Sequence, residues 1–165
     1  MMYSVLLIAL WGIAPSVREN PAWITDYGQA KKFSQMERKP IVIFFGSGVS
    51  GWNDISRQGR LEADAGRLLA KSYVCLYLDT ASEEGRRLAR AFEMRQPRGI
   101  VISNSTGKLQ AFRHEGNLRD EDLMYYLGRF SNADLVVLHT ETNPPERSSF
   151  TPASASPSFS TTRGC

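Results

Sequence analysis

At 165 residues, with 42% hydrophobic and 22% charged side chains, the chain has the make-up of one globular domain with extensions. A net charge of +3 without a dense basic stripe argues against a nucleic-acid binder. Fifteen of the twenty basic residues are arginine, and Arg86, Arg87, Arg90, Arg95 and Arg98 fall within thirteen positions, either a solvated helix face or a surface for an anionic partner.

The first segment, residues 1–16, reads as a signal peptide. Its apolar run from Val5 to Ala14 is ten residues long, too short for a membrane helix of about 20. Gly12, Ala14 and Ser16 supply small residues for cleavage. No basic n-region precedes Arg18, so a buried N-terminal segment is the competing reading. The expectation is an exported (periplasmic or extracellular) protein with no stable membrane span after processing.

Thr25-Asp26 caps a predicted helix from Tyr27 to about Glu37, which Lys39-Pro40 stops. Ile41–Phe45 is a continuous apolar run, the pattern of a strand covered on both faces. The loop Gly46–Gly51 follows, then a helical turn near Trp52–Arg57 and a helix over Leu61–Lys71. Tyr73–Leu78 is a second strand, ending at Asp79. Ser82 caps a third helix through Phe92, and the stretch Arg95-Gln96-Pro97-Arg98-Gly99 interrupts. Ile100–Ile102 and Leu109–Phe112 are strands joined by the turn Asn104-Ser-Thr-Gly107, hence an antiparallel hairpin. A last helix opens between Asn117 and Asp120. Within residues 132–142, Leu135–Leu138 is a candidate extra edge strand. The tail, 143–165, holds nine Ser/Thr and four Pro in 23 residues and is expected to be disordered.

The loop admits two meanings. Gly46-Ser-Gly48-Val-Ser-Gly51 is a literal G-x-G-x-x-G after a strand, and Asp79 ends the next strand as a ribose-binding acid would. A dinucleotide fold, however, needs parallel strands with helical crossovers throughout. The turn at Asn104–Gly107 is too short for a crossover, so the last two strands must be antiparallel. Nucleotide or phosphate binding at Gly46–Gly51 therefore stands as an alternative only.

The order that emerges, α-β-α-β-α, a proline, a β-hairpin and α, resembles the thioredoxin fold over residues 23–131, about two-thirds of the chain. That resemblance implies an α/β thioredoxin-like domain. Its central mixed sheet would hold a βαβ unit and a C-terminal hairpin, with helices on both faces. The family carries W-C-G-P-C after its first core strand. Placed without a gap, Val49 stands for the tryptophan, Ser50 for the first cysteine, Gly51 for the glycine, Trp52 for the proline and Asn53 for the second cysteine. Pro97 stands where the family has a cis-proline, and Phe44 where it has a buried acid. The stretch Ala70–Asp79 with Phe44-Phe45 is similar to exported members.

Thiol–disulfide exchange needs an attacking thiolate and a resolving thiol. The two cysteines are Cys75, mid-strand, and Cys165, the last residue. Dithiol oxidoreductase activity is thus not expected, although a redox role through Cys165 or Cys75 remains the enzyme-class alternative. Ser50 as a nucleophile would need an oriented base. The only histidines are His114, expected on an edge strand away from Ser50, and His139. No catalytic residues, metal ligands or cofactor are indicated. Thioredoxin-like proteins also bind extended polypeptide beside this loop. The resemblance therefore implies a protein or peptide partner in a groove of Ser50, Gly51, Trp52, Asn53, Gln96 and Pro97. Each of these residues also has a purely structural reading.

Overall fold

The computed structural model describes residues 20–142. The segment 1–16, the tail 143–165 and Cys165 lie outside the described residues. Six strands and four α-helices form a single mixed sheet covered on both faces.

Strand β1 is Trp23–Ile24, a two-residue element that the sequence reading did not anticipate. Helix α1, Tyr27–Glu37, is capped by Asp26, whose carboxylate accepts from Gln29 N at 2.5 Å. Arg38 in the left-handed region (φ 53°) ends it, and Pro40 enforces the stop. Strand β2 is Ile41–Gly46, followed by a 3-10 turn at Gly51–Ile55 and helix α2, Ala63–Ser72. Strand β3 is Val74–Asp79. Helix α3, Glu83–Ala91, begins where Ser82 Oγ accepts from Gly85 N at 2.9 Å. Strands β4, Gly99–Ser103, and β5, Gln110–Glu115, are the expected hairpin. Helix α4 is Asp120–Phe130 and strand β6 is Glu141–Thr142.

The sheet order is β1-β3-β2-β4-β5-β6. β3 runs parallel to β2 and β4 antiparallel to it. β6 adds to β5 in parallel at Phe112 and Arg113. Two expectations shift here. The outer strand lies at Glu141–Thr142 instead of Leu135–Leu138, which carries no strand. β5, which carries His114, is consequently not the outermost strand, although β6 pairs with it only at Phe112 and Arg113. No local pattern marks a two-residue strand, since its pairing depends wholly on the neighbour.

Strand alternation divides the core in two. Val42, Phe44, Cys75, Tyr77, Ile100 and Phe112 face α2 and α4, where Leu69, Leu123 and Leu127 meet them. Ile41, Ile43, Phe45, Leu76, Leu78 and Val101 pack with Ala30 of α1 and Ala89 of α3 on the other face. Ile41–Phe45 is no more than 1% exposed at any position, as its unbroken apolar run requires.

A closed loop at the end of strand β2

The register pairs Gly46 with Asp79 and so fixes what meets the loop at residues 46–51. Thr80, just past Asp79, is 6% exposed; its backbone N–H donates to Gly46 O at 2.8 Å, and its hydroxyl lies at 2.8 Å from the same oxygen. Asp79 Oδ1 accepts from Gly48 N at 3.2 Å and from Ala81 N at 2.9 Å. Tyr77 Oη donates to Gly48 O at 2.6 Å. Burial, with help from Asp79, pushes the Tyr77 hydroxyl above its ordinary pKa, so it remains a donor at neutral pH.

The three glycines of the motif serve this closure. Gly48 takes φ +80°, a conformation that other residues adopt only with strain. Gly46 and Gly51 sit back to back: a Cβ on Gly46 would lie 2.5 Å from Gly51 O. A Cβ on Gly51 would collide with Tyr77 Oη. Their spacing therefore reflects backbone packing in a closed loop.

Pro97 is joined to the loop through the same threonine. Thr80 Oγ1 lies 2.9 Å from Pro97 O, 2.8 Å from Gly46 O and 3.3 Å from Ser47 Oγ. Its single proton cannot serve both carbonyls at once, so the hydroxyl sits between them. Arg98 reaches back to Asp54 at 3.7 Å and to Asn117 Oδ1 at 3.4 Å. Ser50, Gln96 and Pro97 are exposed, Asn53 is half-buried and Gly51 is buried. Asn53 Oδ1 accepts from Leu61 N at 3.2 Å, a bond that holds the chain after the turn. Gln96 N donates to Glu115 Oε2 at 3.2 Å. The described residues contain no cis peptide bond, so Pro97 departs from the cis geometry that the resemblance implied.

Trp52 packs toward one flank of the loop. Its ring stacks on Trp23 with centroids 5.3 Å apart and meets Tyr77 edge-on at 5.2 Å. These partners belong to β1 and β3, on one side of β2, whereas Pro97 leads into β4 on the other. Trp23, Tyr77 and Thr80 were not among the residues picked out from sequence. Asp79 alone gave a signal, as an acid ending a strand, and that signal pointed to a ribose.

Among the described residues no thiol stands at the loop. Cys75 is buried in β3, and its Sγ lies 3.7 Å from Leu69 O. Burial pushes its pKa from an ordinary 9.0 up to about 12, with Lys39 opposing slightly. Between those values the unfolded chain has lost a proton that the folded chain keeps, so stability falls as pH rises through that window. At its limit the loss is roughly 4 kcal/mol. The expected result is a urea midpoint that drops between pH 8 and pH 10.5, and drops less in Cys75→Ala. Equal drops in both proteins would refute the assignment. His114 is remote from any such role: it pairs with Ile100 in the ladder and its Nε2 lies 3.3 Å from Asn117 O. No cluster of metal-binding side chains occurs among the described residues.

A mixed sheet in this order, with a loop after the central parallel strand and a proline before the antiparallel one, defines the thioredoxin fold, here with serine and asparagine at the loop. Comparison with solved structures agrees. A thioredoxin from Thermus thermophilus superposes with a TM-score of 0.55 at 18% identity, over 67% of this chain and 86% of its own. The oxidoreductase DsbH gives 0.50 at 19% identity, over 78% and 94%. A thioredoxin-like protein from Clostridium perfringens gives 0.50 at 15%, over 74% and 91%. No protein-family model and no curated protein matches the sequence.

Proposed function

We propose that the chain is a non-redox, thioredoxin-like binding or scaffold module that acts after export and holds extended polypeptide beside Ser50, Gly51, Trp52, Asn53, Gln96 and Pro97. The observation that carries this reading is Thr80, whose hydroxyl lies within 2.9 Å of both Gly46 O and Pro97 O. It makes the loop and the proline segment one surface without any cysteine. A bound strand would take over the Gln96 N–H from the half-buried Glu115 carboxylate and pair by backbone hydrogen bonds, a mode that requires no reactive side chain.

The alternatives have less support. A redox role through Cys75 is opposed by its burial and its raised pKa. Phosphate binding at Gly46–Gly51 is opposed by Asp79, a carboxylate that already takes the Gly48 N–H. The export reading draws on the apolar run at Val5–Ala14; among the described residues no helix is long and apolar enough to cross a membrane.

Photo-cross-linking in the native compartment tests the groove. Recovery of partners should fall sharply when Trp52→Ala is combined with Pro97→Ala. An unchanged partner set in a folded double variant would eliminate the groove.

A further inference from the structure

The loop has a second flank, away from Pro97, and it is hollow. A cavity of about 480 Å³ opens there, walled by Trp23, Trp52 and Tyr77 and edged by Asp79 and Glu84. None of the described residues lining it is basic. Asp79 uses only Oδ1 for Gly48 N and Ala81 N, and its Oδ2 has no partner among the described residues. Glu84 is exposed on the first turn of α3 and has no partner among the described residues. Arg86 does not line the cavity, and its guanidinium donates to Ala81 O at 2.5 Å.

We propose that this cavity receives a lysine or arginine side chain of a partner polypeptide. Aromatic faces attract a cation through their quadrupole, and the methylene stem covers apolar ring area. The carboxylates of Asp79 and Glu84 supply the opposite charge, and no described basic side chain lines the wall to compete for them. The rings are held in place before any ligand arrives. Trp52 is stacked on Trp23, Trp23 lies against Phe44 at 5.1 Å, and the Tyr77 hydroxyl is anchored on Gly48 O. Such preorganisation lowers the entropy lost on binding. The site uses neither Gln96 nor Pro97, so it goes beyond the groove described above and shares only Trp52 with it.

Nuclear magnetic resonance titration with acetyl-Gly-Arg-Gly-amide, against the isosteric citrulline peptide, tests the assignment. The expected result is a saturable shift of the Trp23 and Trp52 indole N–H signals with the arginine peptide and none with citrulline. Glu84→Gln, which leaves the Ser82 cap intact, should weaken binding by about three- to tenfold. An equal response to both peptides, or silent Trp23 and Trp52 signals at millimolar peptide, would overturn the proposal. Shifts confined to Ser50 and Gln96 would also overturn it while leaving the groove standing. Shifts at Trp23 with Gln96 silent would support the pocket and count against the groove.

Discussion

Gly46→Ala is expected to destabilise the domain by about 3 kcal/mol, the scale of forced overpacking in a closed interior. The added Cβ would meet Gly51 O at 2.5 Å and Gly51 C at 2.8 Å. Both are backbone atoms at the start of the 3-10 turn, and Gly46 itself is held by Thr80, so neither side can rotate away. Gly48→Ala provides the contrast. Nothing lies within 4 Å of its Cβ, and only its φ of +80° opposes the change, a cost of about 1–2 kcal/mol. Urea denaturation of the two variants at neutral pH should therefore rank Gly46→Ala as the more damaging. A phosphate cradle open to solvent would give the opposite ranking, because its glycines would be spaced for the ligand and would not touch one another.

Combining Ser50→Cys with Asn53→Cys is expected to create thiol–disulfide exchange at the loop. The geometry is already present: Asn53 N donates to Ser50 O at 3.0 Å. Such a turn holds the two Cα atoms within about 7 Å, close to the span that a disulfide requires. A cysteine with an ordinary pKa of about 8.5 is a few per cent thiolate at pH 7, whereas a serine hydroxyl contributes no comparable anion. Asn53→Cys removes the bond from Leu61 N, a loss of about 1 kcal/mol that the fold should survive. Insulin reduction in the presence of dithiothreitol measures the outcome. The natural chain should remain at background and the double variant should turn over. A folded double variant whose thiols never join under oxidised glutathione would show that the turn is not shaped as described.

Most of the fold was legible along the chain. The Asp26 and Ser82 caps, the Pro40 stop, the two-sided apolar run of β2 and the short turn before β5 are each written within a few neighbouring residues. Capping, φ restriction and burial period act over that range. The same turn ruled out a parallel crossover and so excluded a dinucleotide fold. The absence of a C-x-x-C pair was equally plain, since Cys75 and Cys165 are the whole complement.

The site was legible only in part. The loop and Pro97 were identified, but what binds them was not, because Thr80 reaches both through the pairing of Gly46 with Asp79. The ring contacts of Trp52 with Trp23 and Tyr77 gave no sequence signal, because they depend on β1 joining the outer edge of β3. The orientation of a side chain at a strand end follows from which strands flank it. Element type and order are governed by residues a turn apart, so the linear chain records them. The closed loop and the aromatic cavity arise from sheet register between distant segments, and no local pattern encodes that register.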